Sequence, residues 1–139
     1  MQLHTILNRV EKHKSFVYGR ARFVGSSTRP DIEVEVRPRK NGRPVCSGCH
    51  KRRPGYDRLP ARRFEYVPLW NLFVFLVYAM RRVDCPTCGV VVEQVPWAEG
   101  KHTQTTSYRW FLARWAKRLS WKQVALSFGT SWDGICQHL

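Results

Sequence analysis

Cys46-Ser-Gly-Cys49 and Cys85-Pro-Thr-Cys88-Gly89 bracket the stretch on which the reading of this chain turns. Two residues separate the cysteines within each pair, and thirty-five separate the pairs. A two-residue gap lets a tight turn aim both thiolates at one point while N–H groups of the turn donate to the sulfurs. Two such knuckles face to face form a sulfur tetrahedron, the closed geometry zinc takes in a structural role. The expected cofactor is therefore a structural Zn2+ on Cys46, Cys49, Cys85 and Cys88. Gly48 and Gly89 are read as positive-φ turn positions, and Pro86 as a stiffener of the second knuckle. The plain alternatives are two disulfides or unligated core cysteines. Iron on the same ligands, as in a rubredoxin-like electron carrier, is the chemical one.

The charge balance narrows the partner. In 139 residues, 24 Lys and Arg oppose 10 Asp and Glu, a net +14 with a pI near 10.3. Such an excess favours a polyanionic partner such as nucleic acid over an anionic membrane surface. The first six residues have neither a basic nor an apolar leader region, so no signal peptide is expected. Residues 69–80 are the longest apolar run and contain Asn71. They are too short for a span, which takes about 20 helical residues. Five cysteines, four of them in metal spacing, suit a reducing cytoplasm.

Outward from the cysteines, the chain reads as follows. Leu3, Ile6, Leu7 and Val10 mark an amphipathic helix within residues 1–13. Residues 16–24 and 31–37 read as a hairpin, with Ile32, Val34 and Val36 alternating with Glu33, Glu35 and Arg37. Residues 37–63 are the most basic segment, ten Lys and Arg against Asp57 alone. They read as a metal-held loop that presents Arg39, Lys40, Arg43, Lys51, Arg52, Arg53, Arg58, Arg62 and Arg63 to phosphates. A solvated loop that serves only solubility is the bland alternative. Residues 63–67 and 72–83 read as strands, the second central and buried, and residues 90–95 as the last strand before Pro96-Trp97.

The pattern changes at Ala98. Tyr108, Phe111, Leu112, Trp115 and Leu119 form one helical apolar face. Ser120 and Gln123 read as a capping box opening a short helix, Gly129 ends it, and Ser131 caps another from Trp132. Ala125, Gly129 and Ile135 have the spacing of a helix-turn-helix, for which an ordinary helical hairpin is the alternative. Motif position would then aim Ser131, Trp132, Asp133, Cys136 and Gln137 at base edges, with the Gln137 amide suited to adenine. Lys122 joins the expected DNA contacts. The expected fold class is α+β: a β-rich zinc ribbon with a short N-terminal helix over residues 1–98, then a small all-α helix-turn-helix segment over 99–139.

Paired knuckles around a basic β segment, Arg81-Arg82 before the third cysteine, Pro96-Trp97, and the Ala125/Gly129/Ile135 spacing together carry a resemblance. Over about residues 40–139 the chain resembles the N-terminal region of ISL-three-type insertion-sequence transposases. The resemblance implies a zinc-binding domain and a helix-turn-helix ahead of an RNase H-like catalytic domain with a metal-binding acidic triad. No set of acids here matches that triad. The expectation is a DNA-binding portion that recognises transposon ends and does not itself cleave DNA, in a bacterial, nucleoid-associated setting. Its partners would be duplex DNA and either a second copy or the rest of a full transposase, with no membrane. A zinc-ribbon transcriptional regulator or protein–protein module is the alternative, and an RNA-binding ribbon a more distant one.

Overall fold

The computed structural model describes residues 2–129. A long antiparallel hairpin carries the rest: β4 (Gly55–Leu69) and β5 (Leu72–Cys85), joined by a two-residue turn. Before it come α1 (Leu3–Val10), β1 (Phe16–Val24), β2 (Asp31–Pro38) and β3 (Val45–Cys46). After it come β6 (Gly89–Gln94), α2 (Thr106–Ala116) and α3 (Trp121–Phe128).

The strands form one curled half-barrel sheet in the order β1-β2-β5-β6-β3, with β4 on the other side of β5. β1 and β2 make the expected antiparallel hairpin, with an irregularity between Tyr18 and Ala21. β4 runs along nearly all of one edge of β5. The opposite edge is shared: β2 pairs parallel over Val74–Val77, and β6 antiparallel over Arg82–Cys85. Between those ladders the edge is plugged by a side chain. The Glu93 carboxylate accepts the Arg81 backbone N–H at 2.8 Å and the Tyr78 hydroxyl. A buried backbone donor without a ladder partner needs such an acceptor.

β5 is buried at alternate positions, Val74, Leu76, Tyr78 and Met80, and these form the main core with Val34, Phe64 and Phe16. Trp97, 1% exposed, lies at its centre. Its indole meets Phe16, Phe64 and Tyr78 edge-on at 4.9, 5.8 and 5.1 Å between ring centroids. Truncating a core aromatic of this kind costs about 3–5 kcal/mol, so Pro96-Trp97 ends β6 by turning its largest side chain into the core.

This architecture corrects the expected fold class. Over the described residues the protein is mostly β, a half-barrel sheet with three short helices, and not a ribbon followed by an all-α segment. Two physical reasons account for the difference. Residues 55–62, read as part of a basic loop, are the first half of β4, held by pairing with β5 from Gly55↔Val83 to Ala61↔Ala79. The helices are also joined to the sheet: the Glu65 N–H donates to Thr103 O and the Thr105 N–H to Glu65 O, at 2.7 and 2.9 Å. Tyr108, Leu112 and Val124 then pack with Val67 of β4. Thr105 caps α2 by accepting from the Tyr108 N–H, and Ser120 with Gln123 forms the expected capping box of α3. Gly129 ends α3 in the left-handed conformation, and a Cβ there would lie 2.9 Å from Phe73 Cζ. The second helix expected from Trp132 lies outside the described residues. No described helix is long and apolar enough to cross a membrane.

Candidate metal centre and the cationic residues around it

The two knuckles meet. β3 delivers Cys46 and the turn after it Cys49; β5 ends on Cys85, and the turn into β6 supplies Cys88. All four Sγ atoms lie within 4.8 Å of one another, and Cys49 and Cys85 are 3.7 Å apart. A tetrahedron of sulfurs at metal–sulfur distances of about 2.3 Å has edges of about 3.8 Å. The same separation is far beyond a disulfide bond of about 2.05 Å, and all four cysteines are free. The donor set and its spacing therefore fit a thiophilic metal ion.

The knuckles share a backbone plan. The residue after each second cysteine is left-handed: His50 at φ 60° and Gly89 at φ 80°. Gly48 is not at positive φ, contrary to the sequence reading; close approach explains it instead. A Cβ on Gly48 would stand 2.7 Å from Cys88 Sγ. The Gly48 N–H donates to Cys46 Sγ at 3.4 Å. His50 is exposed and bonds Gln94 Oε1 through Nδ1 at 2.6 Å, which ties the first knuckle to β6.

Hydrogen bonds set the thiols apart. The Thr87 hydroxyl, with the backbone N–H groups of Cys88 and Thr87, brings Cys85 down to about 5. The Lys51 N–H leads in holding Cys49 below its ordinary value, with the Arg53 guanidinium adding to it. At Cys88 the Thr87 hydroxyl pulls downward too, but the bond with Cys46 and burial outweigh it and push the thiol up to about 11. Arg53 is in turn held charged by its bond to Cys49 and by the nearby Cys85. Four thiolates around a dication carry a net charge of about −2, and Arg53 places a positive charge beside them.

Behind the centre lies a buried ion pair. Arg81 donates from Nη2 to Glu93 Oε2 at 3.0 Å, and from Nη1 to Gly42 O at 2.8 Å. The Glu93 side chain is 0% exposed. Because Glu93 also pairs with Cys46 across β3 and β6, this contact joins the main core to the first knuckle. Its neighbour Arg82 forms a two-point bond with Asp57.

The cations expected to meet phosphate divide into two groups. Arg52 donates to Arg43 O at 2.7 Å and Ser15 Oγ at 2.8 Å. Arg53 faces the thiols. Arg62 donates to Lys101 O and His102 O and lies over Phe64. Arg63 pairs with Asp31 and Glu33 over the Phe75 ring. Arg39 uses its Nε on Lys14 O. Lys40, Arg43, Lys51 and Arg58 are exposed and in no ion pair among the described residues, as is Lys122 on α3. Ser131, Trp132 and Gln137 lie outside the described residues. Sequence reasoning missed the Arg81–Glu93–Tyr78 network, for which no local spacing gives a signal.

No protein-family model matches this chain, and no solved structure matches it. Among curated proteins it is similar to the transposase for insertion sequence element IS1557 from two strains of Mycobacterium tuberculosis. Identity is 28% over 113 residues, covering 73% of this chain and 26% of each relative. The chain thus spans about a quarter of the length of these relatives.

Proposed function

We propose that this chain is a DNA-binding portion of a transposase-like protein, serving transposition by recognising the duplex at transposon ends. The observation that carries this reading is the likeness to an insertion-sequence transposase over 73% of the chain. The charge is consistent with it: a net +14, with Lys40, Arg43, Lys51 and Arg58 unneutralised in the segment that flanks the first knuckle.

In this reading the four cysteines hold a structural Zn2+. All four coordination positions are taken by protein sulfur, so the ion contributes folding energy and has no open site for substrate. The protein's own groups do the recognition. Lys40, Arg43, Lys51 and Arg58 contact phosphates, assisted by the free Nη groups of Arg39 and by Lys122. Arg52, Arg53, Arg62 and Arg63 hold the scaffold that presents them. No strand-cleaving step is assigned to these residues.

The test is selection of bound sequences from a random duplex pool by the metal-loaded chain. Enrichment of a sequence that recurs at the ends of the element encoding the protein is the expected result. Binding without enrichment would leave a nonspecific DNA-binding protein, and no binding at low salt would remove DNA as the partner.

A further inference from the structure

The turn between β4 and β5 contains the least expected residue of the fold. Leu69 pairs with Leu72, and Trp70 and Asn71 between them have φ of 49° and 59°. A two-residue hairpin loop with both central residues at positive φ is the type I′ turn, which Asn-Gly serves best. Asn71 suits it; a bulky residue at Trp70 strains it. Burial does not compensate, because Trp70 is 78% exposed. The turn strains the backbone to hold an indole in solvent, and strain of this kind clusters at functional positions.

The surroundings indicate what the indole meets. β2 and β5 run parallel, so the connection from β1 to β2 lies at the same end of the sheet as this turn. Arg29 from that connection donates to Asn71 O at 3.4 Å, which brings a guanidinium to the tip. Phe23, 70% exposed, is the penultimate residue of β1 at the same end. An exposed ring beside a cation, on a chain of net +14, matches a nucleobase with its phosphate better than an apolar protein surface.

We propose that Trp70 is a stacking platform for an unpaired nucleobase, so that the hairpin tip engages distorted or frayed DNA. This rests on the DNA-binding reading above and adds a second contact to it. The tip and the metal centre lie at opposite ends of β5, at most about 45 Å apart for an extended strand. Contacts at both ends would span on the order of a dozen base pairs.

The test uses the metal-loaded chain and two DNA probes of one sequence, one fully paired and one with a single bulged 2-aminopurine. The wild-type chain should prefer the bulged probe by about 10-fold, the scale of one base–aromatic stack, and should quench its fluorescence. Trp70→Asn suits the left-handed turn, so its melting temperature should hold or rise. It should lose the preference and the quench while binding the paired probe unchanged. Retention of both by Trp70→Asn, or equal wild-type binding to the two probes, would overturn the proposal and leave the DNA-binding reading standing. A marked fall in melting temperature would overturn it by making Trp70 a structural residue. A change in oligomeric state with unchanged probe preference would assign the tip to self-association and also overturn it. Failure of the wild-type chain to bind either probe at low salt would end the DNA-binding reading itself.

Discussion

The carboxylate of Glu93 bonds both the side chain and the backbone of Arg81, with Nη2–Oε2 at 3.0 Å and N–Oε1 at 2.8 Å. The same carboxylate accepts from Tyr78. One acid thus closes the gap left where β5 passes from its β2 partner to its β6 partner.

Breaking such a buried pair leaves an uncompensated charge, which costs about 3–5 kcal/mol. Glu93→Ala should show that loss in denaturant titration of the metal-loaded chain. Replacing both partners by apolar residues of similar volume, Arg81→Met with Glu93→Leu, should recover only part of it. The backbone N–H of residue 81 and the Tyr78 hydroxyl would both remain without an acceptor, and a buried unsatisfied donor costs about 1–3 kcal/mol. Full recovery would show that the backbone bond contributes nothing.

Stability should fall in alkali. Burial is the largest cause that raises the phenols of Tyr18, Tyr66, Tyr78 and Tyr108 above their ordinary 10.0, with the carboxylates of Glu11, Glu93 and Glu65 adding to it. A group with a raised folded pKa keeps its proton longer in the folded state. Its stabilisation is complete below the unfolded value and is lost as pH rises toward the folded one. Unfolding free energy should therefore be insensitive to these tyrosines below about pH 10 and decline above it. Tyr78→Phe should make the decline shallower; an unchanged slope would remove Tyr78 from the account.

Gly48 offers a test of the metal centre that leaves every ligand in place. A methyl group at that position would meet Cys88 Sγ at 2.7 Å, so Gly48→Ala should displace the fourth sulfur. Metal affinity in a chelator competition should fall by about 10-fold or more, the scale seen when groups supporting metal ligands are lost. Gly55→Ala, whose Cβ would meet nothing within 4 Å, is the control and should bind metal normally.

How much of this was legible in sequence depends on the range of each interaction. The cysteine pairs were readable because a knuckle is a local turn, and the Ser120–Gln123 capping box because its two bonds join residues three apart. The burial of β5 showed in its run of large apolar residues. The first half of β4 did not, since residues 55–58, 60 and 61 are exposed and give no alternation; only the β5 ladder makes them a strand. The parallel contact of β2 with β5 joins residues about forty apart and leaves no local trace. For the same reason the arginines looked alike in sequence. Partners distant in the chain, such as Ser15 for Arg52 and Lys101 for Arg62, separate those tied into the fold from those in no ion pair among the described residues.

The central claim is that a metal on the four cysteines holds the cationic residues in place for DNA. It is tested most directly by measuring duplex affinity across a salt series, before and after removal of the metal by a chelator. With Lys40, Arg43, Lys51, Arg58, Arg39 and Lys122 engaged, the loaded chain should give a slope of log affinity against log salt of about −5.4. The chelated chain should bind more weakly and with a flatter slope. A purified chain that holds no metal, or loaded and chelated chains with the same affinity and slope, would contradict the account.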